Sequence, residues 1–384
     1  MAFLSDSGVS DNKDPKKAVQ EIAKEWSFTP GSTAPDILIC YTTSKIDSQQ
    51  VCEEFRKQYP QTTVLGCTTA GEFTEKGHRN DTVSALAIQS DEVEWHPFLV
   101  DDLKALDAPK AHELVQQAWK DMNVNPDELD PKHFFSLLLI DGLSLSEEKV
   151  VDHLAEAFEG IPILGGSAGD DLQFQKTELF LNNKVYTNSA IVLIGKTKTP
   201  YRIFKHQHFK RSEENLVITK ADLSTRTVFE FNGMVAADVY AGALGFKDKK
   251  ELTDEIIFMN PVQFCCDGAE WVRSIQKIND DGSITFYCAI EEGMVVNMSS
   301  HHSMPDSLET DFKELSPNGK KAEVFLGFNC ILRRLEAETR KCDKELAQQY
   351  QKIAKHTIGF DTYGEQLNGL HMNQTLVGIL LYAA

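Results

Sequence analysis

Three short stretches set acids and hydroxyls on glycine hinges: "GCTTAGEF" (66–73), "ILGGSAGDD" (163–171) and "GFDTYGEQ" (359–366). The first and last share the skeleton Gly-x-x-Thr-x-Gly-Glu, and the middle one is a looser cousin. Glycine permits positive φ and close approach of backbone to a ligand, so such loops can turn N–H groups into a cleft. Gly66, Gly71, Gly165, Gly166, Gly359 and Gly364 would shape that cleft, while Thr69, Ser167, Thr362 and Tyr363 offer hydroxyls. Glu72, Asp170, Asp171 and Glu365 add four carboxylates. Uncompensated carboxylates oppose a phosphate and suit an amine or a neutral polar ligand. Neither Gly-Lys-Ser/Thr nor Gly-x-Gly-x-x-Gly occurs in these loops, so they are not a Walker loop or a dinucleotide fingerprint. The plainer reading is a set of tight turns whose Thr and Glu satisfy local backbone groups.

Imidazoles and thiols supply the other candidate chemistry. "YRIFKHQHF" (201–209) holds His206 and His208 among Phe204, Arg202 and Lys205. Read as one strand, His206 and His208 share a face with Phe204, and Lys205 and Phe209 point the other way. A histidine beside aromatics is usually a hydrogen-bonded core or surface residue and less often a metal ligand. "SSHHSMPDS" (299–307) adds His301, His302 and Met304, expected in a solvated loop. His371, in "GLHMNQT", is a candidate for the cleft of the last glycine loop. Cys67 follows a strand-ending glycine and could act as a thiolate nucleophile, but no partner motif of a thiol or serine hydrolase accompanies it.

The elements that must position these groups alternate in the first half. Strands "PDILICYTT", "TTVLGC" and "HFFSLLLI" interleave with helical patterns "DSQQVCEEFRKQYP", "APKAHELVQQAWKDM" and "EEKVVDHLAEAFEG". That alternation predicts an α/β unit with a mainly parallel sheet. Asn182-Asn183 predicts a hairpin turn in "ELFLNNKVYTN". From about residue 200 short strands dominate, predicting an α+β C-terminal domain, with "ILRRLEAETRKCDKELAQQYQKIA" as one long helix. Residues 1–30 read as a partly disordered leader. A chain of 384 residues accommodates two domains. No apolar run is long enough for a membrane helix, and the eight cysteines form no C-x-x-C pair. Reduced thiols of that kind predict a cytoplasmic protein. A net charge of −19 argues against nucleic acid and anionic membrane as partners.

"VLGCTTAGEF" (64–73), "ILGGSAGDD" (163–171), "FEFNGMVAADVYAGALG" (229–245), "GFNCILR" (327–333) and "GFDTYGEQL…NQTLVGILL" (359–367, 373–381) resemble, in order, the FIST family of sensory proteins. The resemblance implies an N-terminal FIST domain over 31–210, a C-terminal FIST domain over 211–384, and no enzymatic activity. "YRIFKHQHF" followed by "LVITKAD" is similar to the nitric-oxide-sensing haem proteins of the family (NosP). That narrower likeness implies haem b with its iron on His208, His206 as second choice, and Phe204, Arg202 and Lys205 around it. It further implies nitric oxide as the signal, a histidine kinase or cyclic-di-GMP enzyme as the regulated partner, and a homodimer. Two alternatives stand beside it: a receptor for an amino-acid-like molecule held between loops 66–72, 165–171 and 359–365, and a thiol hydrolase using Cys67.

Overall fold

The structure is a computed structural model describing residues 3–266, 268–316 and 318–383. It divides into two compact units. The first comprises the chain up to His206 together with 309–371 and the segment from Leu376 onward; the second comprises 207–308 with 372–375. The second unit thus begins where the strand-rich half was expected, but the chain afterwards returns to the first unit.

A single plan is repeated three times in the first unit. The first repeat runs β1 (Leu4–Ser10), α1 (Pro15–Lys24), β2 (Ile37–Thr43), α2 (Ser48–Gln58), β3 (Thr63–Thr69), the hairpin β4 (Glu72–Thr74) and β5 (Gly77–Arg79), then β6 (Val83–Gln89). The second runs β7 (Val93–Val100), α3 (Ala108–Asp121), β8 (Phe134–Ile140), α4 (Glu147–Ala157), β9 (Ile163–Ser167), β10 (Leu179–Leu181), β11 (Lys184–Tyr186) and β12 (Ala190–Thr197). The third opens with β13 (Tyr201–His206) and is interrupted by the second unit. That unit contains β14 (Phe209–Asp222), β15 (Thr227–Phe231), β16 (Met234–Val235), α5 (Ala236–Ala243), α6 (Asp254–Met259), β17 (Val262–Cys266), β18 (Ala269–Arg273), β19 (Ile275–Ile278), β20 (Ile284–Phe286) and β21 (Val295–His301). The chain continues through α7 (Met304–Leu315). The third repeat then completes itself with β22 (Ala322–Cys330), α8 (Ile331–Arg340), α9 (Asp343–Ile353), β23 (Ala354–Thr362), β24 (Glu365–Leu367), β25 (Leu370–Met372) and β26 (Leu376–Leu381).

Each repeat builds four strands of its own six-stranded sheet and lends its hairpin to another repeat's sheet. The orders are β1-β6-β2-β3-β10-β11, β7-β12-β8-β9-β24-β25 and β13-β26-β22-β23-β4-β5. Only β2–β3, β8–β9 and β22–β23 are parallel; every other pairing described in these sheets is antiparallel. The α/β class and two-domain plan stand, while the mainly parallel sheet becomes one parallel pair per sheet.

The apolar runs of β2 and β8 follow from burial of both faces. Leu38 and Cys40 pack under α1 and α2, and Leu138 and Ile140 under α3 and α4. Tyr41, alternating with them, meets Phe360 of the third repeat at 4.6 Å between ring centroids. The expected helix face Ala111, Val115, Ala118 and Trp119 is buried. Asn182, at φ 55°, turns the predicted hairpin.

Two expectations are corrected. Much of the supposed leader is β1, paired with β6, and α1, capped by Asp14 and buried through Ala18, Val19 and Ile22. The single long helix is two, because Lys341 adopts left-handed φ 58° and ends α8. In the second unit the antiparallel order is β18-β17-β21-β14-β15-β20-β19, with α5 and α6 on the same core. Among the described residues no helix is long and apolar enough to cross a membrane.

Candidate functional site

The three glycine loops meet in the first unit, each following the second parallel strand of a repeat. In the first and third, one hydroxyl organises the turn. Thr69 Oγ1 accepts the Gly71 N–H and donates to Glu72, as Thr362 Oγ1 accepts the Gly364 N–H at 2.9 Å and donates to Glu365 at 2.9 Å. The recurring Thr-x-Gly-Glu is therefore a self-satisfying turn that leads into a lent hairpin. The second repeat has Ala168 where the others have threonine, and its Asp170 carboxylate instead accepts the Phe174, Gln175 and Lys176 N–H groups and the Tyr363 hydroxyl.

Backbone bonds lock the loops into a ring. Ala70 N–H donates to Asp361 O and Asp361 N–H to Gly71 O at 2.8 Å. Tyr363 N–H donates to Ser167 O, and Ser167 N–H to Gly364 O at 2.9 Å. Gly169 N–H donates to Thr68 O at 3.0 Å, and Thr68 N–H to Glu178 O. The N–H groups that the sequence offered to a ligand thus bind their own or the neighbouring loops. Gly66, Gly165 and Gly359 occupy one equivalent position against the paired strand. A Cβ there would lie 1.7 Å from Cys40 O, 1.9 Å from Leu138 O and 2.4 Å from Gly327 O. Gly166 faces Thr362, Phe360 and Phe328 on the inner side.

Charge is concentrated and buried around the ring. Glu72 is fully buried, and burial pushes its carboxyl up to about 8, with Asp171 and Asp361 adding to the rise against hydrogen bonds from Thr69 and Thr82. Burial also acts to raise Asp361, but His78, Arg334 and Asn329 surround its carboxylate at 3.3, 3.0 and 2.7 Å and hold it below the usual range. Arg333 Nε donates to Asn329 Oδ1 at 3.0 Å from a buried position. Gln366 Nε2 donates to Ser167 Oγ and to Gly364 O and lies 3.0 Å from His371 Nδ1, so His371 does reach the last loop. The sequence reading missed Asp361, His78, Asn329, Arg333 and Arg334. The signal for them was polar residues interrupting the apolar run "FLGFNCILRR" and the Asp inside "GFDTYGEQ".

Cys67 is buried, and burial with nearby Glu72 pushes its thiol well up, which disfavours the nucleophilic thiolate. Cys40, Cys52, Cys288 and Cys330 are likewise buried.

The candidate haem residues are divided between the two units, Arg202, Phe204, Lys205 and His206 in the first and His208 in the second. The expected continuous strand breaks at Gln207–His208: β13 ends at His206 and β14 starts at Phe209. In the first unit, Phe204 packs edge-on against Phe312 at 5.4 Å and beside Phe325 at 5.5 Å. His206 is buried at the end of β13 opposite Leu376, Arg202 is exposed, and Lys205 is half-buried. In the second unit His208 is 1% exposed, with its ring 4.2 Å from Phe209 and 5.3 Å, edge-on, from His301. His301 ends β21 opposite Phe209, and Met304 is buried at the start of α7, so residues 299–307 are not the expected solvated loop.

Comparison with known proteins places the chain by sequence. The FIST N domain matches residues 36–234 and the FIST C domain residues 236–368. An uncharacterized protein of Methanocaldococcus jannaschii is 22% identical over 96% of this chain and 77% of its own length. A crystal structure of cyanuric acid hydrolase from A. caulinodans aligns over 100% of both chains with a TM-score of 0.36 and 8% identity.

Proposed function

Because the chain belongs to the FIST family, whose domains carry a sensory, signal-transduction role, we propose that it is a non-enzymatic sensor reading nitric oxide through haem b held on His208. The observation that carries the proposal is the cluster of buried His208 and Phe209 with half-buried His301. His208 would hold the iron, with Phe209 supplying an apolar wall; His301 is the neighbouring polar group. Bound haem would supply the gas-binding iron. The chain's own contribution is to keep the His208 imidazole away from water at the junction of β14 and β21, where His302 N–H donates to His208 O at 2.9 Å. A shift in that junction is what a partner histidine kinase or cyclic-di-GMP enzyme would read.

Haem titration of the purified protein tests this. A saturable Soret band should appear, disappear in His208→Ala and persist in His206→Ala, both variants remaining folded by circular dichroism. No band, or a band indifferent to His208→Ala, would sink it. A receptor for an amino-acid-like ligand at the three loops is the second reading, favoured by their convergence and their buried carboxylates. Under that reading the ring must open first, and an amine ligand should raise the melting temperature without haem.

A further inference from the structure

Antiparallel pairing in the second unit brings two histidines side by side. His301, the last residue of β21, pairs with Phe209, the first residue of β14, and His302 N–H donates to His208 O at 2.9 Å. These backbone links set the His208 and His301 side chains off from the sheet as neighbours. Their rings stand edge-on, at 81°, with centroids 5.3 Å apart, and a ring nitrogen of one lies within 4.8 Å of a ring nitrogen of the other.

That spacing discriminates between two kinds of metal centre. Two imidazole nitrogens bound at about 2.1 Å to one tetrahedral ion lie about 3.4 Å apart, which puts the ring centroids about 5 Å apart. Two imidazoles on opposite sides of one haem iron have the macrocycle between them, and their centroids are more than about 6 Å apart. The observed 5.3 Å fits the first arrangement and is too short for the second. Rotation of the two side chains brings the nitrogens onto a shared ion.

The donors also select the ion. Imidazole nitrogen suits zinc, cobalt, nickel and copper, whereas magnesium and calcium take oxygen. His208 is 1% exposed and His301 is half-buried, so the pair is held by the interior on one side and keeps contact with solvent on the other. Solvent contact gives an ion its entry path and its water ligands.

We propose that His208 and His301 together hold a divalent transition-metal ion of the zinc type, with water completing its coordination. The inference goes beyond the haem reading: it shares His208 with that reading but needs no haem.

The probe is Co2+ added to the purified haem-free protein at neutral pH and followed by its visible d–d absorption, with Zn2+ as competitor and Mg2+ and Ca2+ as controls. A band of tetrahedral type should saturate at an equimolar ratio, be displaced by Zn2+ and be indifferent to Mg2+ and Ca2+. His208→Ala and His301→Ala should each weaken Co2+ binding by at least about tenfold. His302→Ala, which removes the exposed histidine next in sequence, should change it by less than about twofold. His208→Gln and His301→Gln replace the alanine variants if those lose their circular-dichroism spectrum. No saturable band, a band that survives loss of either His208 or His301, or an equal loss in His302→Ala would overturn the proposal. Haem titration separates the two readings, because the Soret band should survive His301→Ala and the cobalt band should not. Absence of the Soret band leaves the ion site standing, and absence of the cobalt band leaves haem on His208 standing.

Discussion

At the residue scale, the repeated Thr-x-Gly-Glu was legible as chemistry, but its purpose was not. The sequence shows a hydroxyl, a glycine and an acid at fixed spacing; only the fold shows that the hydroxyl turns inward to its own loop. Glu72 gives the sharpest consequence. Its folded-state value of about 8 lies above an ordinary carboxyl, so the native state keeps a proton that the unfolded chain releases. Its contribution to stability therefore falls as pH rises from the ordinary carboxyl range towards 8. Glu72→Gln should flatten that decline and raise the melting temperature at pH 8, as thermal scans from pH 5 to 9 will show. Asp361 behaves oppositely. Its lowered value contributes stability above the ordinary carboxyl range and loses it in acid. Asp361→Asn strips the buried Arg334 and His78 of their carboxylate and should cost about 3–5 kcal/mol in urea unfolding at pH 7.

At the element scale, local rules predicted well where local forces dominate. Helices α2, α3 and α4, the Asn182 turn and the β3 and β9 strands all follow from periodicity and turn residues. Readings failed where distant partners decide. Parallel pairing was over-predicted because the strand–helix alternation is real, whereas β6, β12 and β26 return antiparallel beside β2, β8 and β22. β1 looked unstructured because its order comes from pairing with β6. The helix break at Lys341 has no glycine or proline to announce it. Two substitutions test the element packing. Gly66→Ala would drive a methyl into Cys40 O and should destabilise by about 3 kcal/mol, read as a lower urea midpoint. Leu172→Gly relieves left-handed strain at an exposed site and should stabilise by about 1 kcal/mol.

At the scale of the whole molecule, the three similar loops have a common origin in a threefold plan whose hairpins are exchanged between repeats. Convergence of the loops was foreseen from their resemblance; the exchange was not, because nothing in a hairpin's own residues states which sheet it will join. The first unit's polar groups around the ring are satisfied largely by one another, which suits a rigid frame. The second unit, most of it inserted between β13 and β22 of the third repeat, holds His208, where we propose that sensing occurs. Amide hydrogen exchange of the haem-reconstituted protein, with and without nitric oxide, tests that assignment most directly. The account predicts altered protection at Phe209–Arg211 and Ser299–His301, abolished by His208→Ala. Unchanged protection there, or a response confined to the glycine loops, would contradict it.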